Sequence, residues 1–391
     1  MRLTKLFKDF FESEKGGVLL ILCTIVSLLL TNSSIGEKYL GLWHFQLGTL
    51  TIENWINEGL MSVFFFLIGL ELKREIYVGE LSNTKNAMLP IFAAIGGMIV
   101  PAGIYTLLNY GTITQAGAGI PMATDIAFAI GILSLLGNRV PASLKVLLTA
   151  IAVIDDLGAI IVIAVFYTTS LSLINLLVVL VVFGLLVFLN RLKVNYLFIY
   201  IIGGIVMWYF MLHSGVHSTL SGILLAITIP FGKGEKTSLS YKTQDWLHKP
   251  VSLLILPLFA LANTAIIFDP GWDTGLAAAG SLGIFAGLII GKPIGITFFS
   301  FLTVYFGLGA LPRGTKWKEV LGIGLIAGIG FTMSIFITLL AYNDVVLIRE
   351  SKISILLASV VSGILGYSWL RLILKEKKRF SKSPSTEKNL N

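Results

Sequence analysis

Charge is scarce in this sequence. Of 391 residues only 13% are Asp, Glu, Lys or Arg, against about 25% in an ordinary soluble protein. That deficit excludes a soluble globular chain of this length. Cysteine is almost absent: Cys23 alone cannot build an intrachain disulfide framework. No His-Glu-x-x-His sequence occurs, so the helical zinc-hydrolase motif is missing. No small-x-small cleavage site follows the apolar stretch 17–30, so it reads as an uncleaved first helix rather than a signal peptide. Short alternating segments of the β-barrel kind are also missing.

Apolar runs take the place of charge. Hydrophobic residues make up 55% of the chain and mean hydropathy is +0.88. The runs recur at the roughly 20-residue length that crosses a bilayer. The chain therefore reads as an all-α polytopic membrane protein. About twelve spans are expected, at 16–31, 55–78, 87–109, 121–136, 143–168, 173–190, 197–213, 215–230, 247–268, 276–306, 319–343 and 350–374. Residues 1–374 make a single transmembrane domain. Residues 375–391, charged and polar, read as a disordered cytoplasmic tail. Phe45 to Ile52 flank Gly48-Thr49 with alternating apolar residues, which suits a short β-hairpin near 43–52. It is either an exposed loop or a surface for forming a homodimer.

The net charge of +8 does not call for a nucleic-acid partner. The basic residues collect in every second loop: Arg139 and Lys145, Arg191 and Lys193, Lys233 to Lys249, Arg313 to Lys318, then the tail. The loops at 110–120, 169–172, 214 and 269–275 carry none, and Arg349 near a helix end is the one exception. By the positive-inside rule both termini face the cytoplasm.

Two spans are expected to be discontinuous, 121–136 and 319–343. In the first, Gly117, Gly119 and Pro121 precede Thr124 and Asp125; in the second, Gly322, Gly324, Gly328 and Gly330 precede Phe331 and Thr332. Each lies second in a set of three spans, 87–168 and 276–374. The two sets start on opposite sides of the membrane, which is an inverted-topology repeat. Interrupted segments at matching places in two halves point to a transporter's binding site.

The carboxylates between these breaks carry the chemistry. Asp155 and Asp156 sit near the middle of the 143–168 span, where ionisable side chains are costly and usually functional. Thr149, Ala152, Asp156 and Ala159 share one helical stripe, which places Asp156 towards a central funnel. One site that holds either a proton or a small cation couples the two flows by competition alone. Lys292 is the one basic residue deep within a span, on a face where Gly283, Gly287, Gly291 and Gly295 recur every four residues. It needs a carboxylate partner, and Asp155 is the candidate. Asp125 can offset the positive ends of broken half-helices, or simply cap one; Lys292 can offset the negative ends. Glu71, Arg74 and Glu75 close the second span, either as a solvated end or a regulatory one. His213 and His217 have metal-binding spacing without a third ligand, and His217 can tune a pH response or be structural.

These residues, in Phe65-Phe-Leu-Ile-Gly-Leu-Glu71-Leu-Lys-Arg-Glu75, Pro121-Met-Ala-Thr-Asp125-Ile-Ala-Phe128, Ile154-Asp155-Asp156-Leu-Gly158, Leu254-Ile-Leu-Pro257-Leu-Phe-Ala-Leu-Ala-Asn263, Gly291-Lys292-Pro293 and Gly328-Ile-Gly-Phe-Thr-Met-Ser-Ile-Phe336, resemble the NhaA family of sodium/proton antiporters. The resemblance runs over nearly the whole chain. It implies a multi-pass, electrogenic, pH-regulated exchanger in a bacterial inner membrane, without a cofactor, that expels Na+ or Li+ against a larger number of protons. It implies Asp156 as main cation ligand with Asp155 and Thr124 beside it, and Asp125 and Lys292 as compensators of half-helix dipoles. It implies Asp155 paired with Lys292 in the proton-loaded state, dimerisation through the hairpin, and a pH-responsive cytoplasmic region containing Glu71, Arg74, Glu75 and His217. Where relatives carry a Glu, this chain has Gln244, with Asp245 adjacent. The alternatives are a proton-coupled solute carrier, a channel and an intramembrane aspartic protease. The protease needs aspartates converging from two helices, whereas these are neighbours on one.

Overall fold

The computed structural model describes residues 3–167, 171–232, 234–268, 270–312 and 314–380. Arg2, Lys233, Arg313 and the tail beyond 380 lie outside them. Helix α1 (Leu3–Thr31) turns through 115° into α2 (Gly36–His44). The hairpin follows as β1 (Gln46–Leu47) and β2 (Leu50–Thr51), with Gln46 opposite Thr51 and Leu47 opposite Leu50. Gly48 has φ +72°, which an L side chain rarely adopts, so glycine allows the two-residue turn. Then come α3 (Ile52–Val78), α4 (Thr84–Asn109), a 3-10 segment (Gln115–Met122), α5 (Ile126–Ser134), α6 (Ala142–Phe166), α7 (Leu173–Arg191), α8 (Leu197–Leu212) and α9 (Leu220–Thr228). The chain continues with α10 (Leu239–Asn263), α11 (Ala279–Tyr305), α12 (Trp317–Ala327), α13 (Phe331–Ala341) and α14 (Val345–Phe380).

Eight of these runs are long and apolar enough to cross a membrane, and two bent pairs raise the number to ten. Helices α8 and α9 supply the other two expected segments. At nine residues α9 covers only about 14 Å, half a bilayer core, so the expected span 215–230 is a short helix preceded by a turn. Three other boundaries move. The span expected at 247–268 starts at Leu239, through a polar first turn capped by Ser238, and ends at Asn263. The first discontinuous span begins as 3-10 helix at Gln115, with Pro121 inside it, rather than at 121. The helical backbone of α14 runs six residues into the segment read as a disordered tail.

Both expected breaks are present, and they meet. Residues 123–125 are extended between the 3-10 segment and α5, while 328–330 separate α12 from α13 with a bend of 49°. The amide of Asp125 donates to the Ile329 carbonyl at 2.7 Å, and the Ser334 hydroxyl to the Ile120 carbonyl at 2.7 Å. Residue number therefore rises along one break as it falls along the other. The two run antiparallel, as an inverted pair of units must at their crossing.

Helices α4 and α11 fix that crossing in place. The glycine stripe of α11 lies against α4 and the first break: a methyl group at Gly287 would stand 2.5 Å from Pro121 Cβ, and one at Gly291 2.9 Å from Pro101 Cα. Such contact is open only to backbones without side chains between them. On the α4 side, a methyl at Gly96 would meet the Gly295 carbonyl and come within 2.6 Å of Phe299 Cβ. Gly96→Ala should cost about 1–3 kcal/mol of overpacking strain. Its thermal unfolding midpoint in detergent should fall by several degrees; an unchanged midpoint would refute this packing.

Candidate ion-binding site

The breaks, α6 and α11 converge on five buried polar residues. Thr124, Asp125, Asp155, Asp156 and Lys292 are each no more than 2% exposed. Asp125 caps both half-helices that start at the crossing. One carboxylate oxygen accepts from the Phe128 amide at 2.9 Å; the other accepts from the Thr332 amide at 3.0 Å and hydroxyl at 2.5 Å. A negative charge shared by two helix N-termini is favoured by both dipoles. Capping, which the sequence reading held compatible with charge compensation, is thus carried out at both half-helices by one carboxylate.

Lys292 follows a π-helical turn, Ala286–Gly291, which resets the face on which its side chain leaves α11. Its ammonium forms an ion pair with Asp155 Oδ2 and donates to the Thr124 hydroxyl at 2.7 Å. Thr124 in turn has Asp155 Oδ2 at 2.8 Å and the Ala327 carbonyl, at the end of α12, at 3.0 Å. Its single proton can serve either. Lys292 thus reaches the negative end of a half-helix through Thr124. Removing one partner of such a buried pair typically costs about 3–5 kcal/mol.

Asp156 is different. Neither of its oxygens, nor Asp155 Oδ1, receives a hydrogen bond from the described protein. The charges acting on it are Asp155, Asp125 and Glu71, opposed by Lys292. Ala152 and Ala159 on its stripe are buried with it, so the stripe faces other helices. The expected open funnel does not reach it: Asp156 is 1% exposed, and cavities of about 410 and 710 Å³ elsewhere in the molecule do not include it. Close packing around the breaks occludes the site in this conformation.

The expected regulatory residues divide into two places. Glu71 lies near Gln244, His248, Arg74 and Glu75, with Arg74 Nη2 3.4 Å from Glu75. The position expected to depart from relatives is thus beside Glu71. His217 is not there. It lies in the turn between α8 and α9, beside Glu58, whose carboxylate accepts from Ser218 at 2.6 Å. Glu58 and Glu71 are thirteen residues apart along α3, or about 20 Å. His213 is satisfied locally, its Nδ1 2.8 Å from the Tyr209 carbonyl. Among the described residues no cluster of three metal-ligating side chains exists. The sequence reading missed Lys73, whose ammonium caps α9 through the carbonyls of Ala226, Ile227 and Ile229, and Glu58. Both follow from packing of α3 against α9, which no local motif announces.

Comparison with known proteins shows the family. The family model described as Na+/H+ antiporter 1 matches residues 8–370. The chain belongs to the NhaA family of Na+/H+ antiporters. A curated relative from Cytophaga hutchinsonii named Na(+)/H(+) antiporter NhaA is 58% identical over 96% of this chain and 97% of its own. One of the same name from Flavobacterium psychrophilum is 59% identical over 96% and 98%, and one from Escherichia coli O1:K1 / APEC 45% identical over 94% and 98%. A solved structure titled as the sodium proton antiporter MjNhaP1 from Methanocaldococcus jannaschii at pH 8 superposes with a TM-score of 0.54 over 96% of this chain and 99% of that one. At 15% identity, that likeness concerns the fold.

Burial holds the His217 imidazole below its usual range, offset in part by Glu58. The native state therefore binds this proton less readily than the unfolded chain, and stability falls as pH drops through about 6.5 and below. His217→Gln should flatten that acid slope: between pH 7 and 5 its thermal midpoint should fall less than that of the unmodified protein. Parallel slopes would remove His217 from the acid response.

Proposed function

We propose that this chain exchanges Na+ or Li+ for protons by alternating access, with cation and proton competing for Asp156 and Asp155. The observation that carries the reading is the pair of Asp156 oxygens, buried at the centre and given no donor by the described protein. A buried carboxylate in that position costs several kcal/mol unless a proton or a cation neutralises it (on the order of 3 kcal/mol even by insertion scales). Occupancy by one then excludes the other, which is the coupling.

The geometry suits a proton-loaded state. Asp155 is held by Lys292 and Thr124, which leaves Asp156 as the carrier of the proton. When a cation enters, Asp155 turns from Lys292 to join Asp156 as its second carboxylate ligand, with Thr124 beside them. The Lys292 ammonium then has no counter-charge in a low-dielectric site, so its proton becomes the second to move. One proton from Asp156 and one from Lys292 against a single monovalent cation makes the exchange electrogenic. Each net charge carried is worth about 2.3 kcal/mol per 100 mV.

The physical setting follows from the same reading: a bacterial inner membrane, with the basic loops and both termini in the cytoplasm. The hairpin, whose Phe45 and Leu47 are exposed, is the contact of a homodimer. The Glu71 cluster, in which Gln244 replaces an ionisable partner with a neutral one, adjusts the pH response. A solute carrier finds no support in a site with no cavity for an organic substrate. Nor does an aspartic protease: Asp125 arrives from another element, but both its oxygens are committed to capping.

In proteoliposomes, Asp156→Asn should reduce Na+-driven dissipation of a pH gradient to background while leaving the thermal midpoint within a few degrees. Retained exchange would overturn the assignment. In the unmodified protein, an imposed inside-negative potential should accelerate sodium efflux; a rate indifferent to potential would overturn the charge balance.

A further inference from the structure

The geometry points to three tyrosines as the gate that closes the site at the end of the molecule bearing residues 110–116. This inference rests on alternating access. Tyr105 lies near the end of α4, Tyr167 caps α6, and Tyr342 follows α13 directly. Their hydroxyls converge on the start of the 3-10 segment that leads into the first break. Tyr105 Oη and Tyr342 Oη each lie 2.9 Å from the Thr114 carbonyl and 2.6 Å from one another. Tyr167 Oη donates to the Ala116 carbonyl at 2.7 Å and accepts from the Gly119 amide at 3.3 Å.

Two features mark this as more than local packing. The segment they hold has eight residues of 3-10 helix, twice the usual run, in a geometry with weak internal hydrogen bonds. It needs outside support, and gets it from three separate helices. Glycines make room for the phenols: a methyl at Gly117 would collide with the hydroxyls of Tyr342 and Tyr105, and one at Gly119 would stand 2.8 Å from Tyr167 Oη. Asn109 and Ser334 add further ties, to the Thr114 hydroxyl at 2.6 Å and the Ile120 carbonyl at 2.7 Å. Five residues beyond Ile120 stands Asp125, the cap shared by both breaks.

Opening the site towards this end requires the 115–122 segment to leave α4, α6 and α13, and so to break the phenol contacts. The tyrosines are positioning residues: they touch no ion, and set how often the segment opens. Tyr105 and Tyr342 share one carbonyl, which also accepts the Gly117 amide of its own segment at 3.0 Å, so the two phenols back each other up. Losing either hydroxyl leaves Thr114 one tie to the flanking helices; losing both leaves it only the Gly117 amide.

The test uses Ile120→Cys, a fully buried position, in a Cys23→Ser background. The readout is the rate of alkylation by a membrane-impermeant maleimide in right-side-out and inside-out vesicles. Tyr105→Phe and Tyr342→Phe alone should change the rate little. The double variant should raise it about fivefold or more from one face only, as loss of one net hydrogen bond predicts. The apparent KM for Na+ should shift from that same face. Tyr167→Phe, which frees a different carbonyl, is an independent arm expected to act in the same direction. Equal alkylation rates in all variants, or a rise from both faces together, would overturn the gate. Alkylation needs no transport, so it is readable even if Asp156→Asn were to show that the exchange reading is wrong.

Discussion

Backbone that leaves a helix inside a membrane must find its hydrogen-bond partners within the protein, because lipid offers none. Here the two interrupted spans find them largely in each other. The Ile329 carbonyl takes the Asp125 amide, the Ile120 carbonyl takes a hydroxyl from beyond the second break, and one carboxylate caps both half-helices. The crossing is held by mutual need: neither break could stay unwound without the other. Everything polar at the centre of the molecule is arranged around that junction.

The junction also explains why the carboxylates can be so differently treated within a few residues. Asp125 is saturated by donors and Asp155 is matched to Lys292, while Asp156 has neither. In low dielectric, full satisfaction fixes a group and absence of satisfaction makes it a receptor. The glycine stripe of α11 matters for the same reason. It brings Lys292 close enough to α4 and α6 for the ammonium to reach Asp155 without stretching across lipid-like space, and a bulkier face would hold it back.

Much of this was legible in the sequence because bilayers impose simple rules. Span placement, both breaks, the hairpin and the Lys292–Asp155 partnership follow from run length, glycine spacing and the cost of a lone buried charge. What failed did so where packing decides. The polar start of α10 looks like loop, since Tyr241 to Lys249 carry little hydrophobicity, yet it is helix with Gln244 buried near Glu71. His217 looks like a companion of Glu71 when residues are pooled by chemistry. The course of α3 puts Glu58, the neighbour of His217, about 20 Å from Glu71. The closed surroundings of Asp156 were also out of reach: a stripe facing inward does not say whether water follows it.

The two ends of the molecule now differ in kind. Helix α4 begins beside the Val78 end of α3, near the Glu71 cluster, and finishes at Tyr105 beneath the 3-10 segment. At the first end stand the Glu71 and Glu75 carboxylates, with Arg74 and His248 beside them. At the other stand phenols, whose ordinary pKa near 10 keeps them neutral donors across the physiological range. A hydrogen-bonded latch of neutral hydroxyls has the same strength at pH 6 and pH 8, whereas a charged cluster does not. The phenol closure therefore works on contact geometry alone, and a pH dependence of the exchange has to enter through titrating groups elsewhere in the molecule.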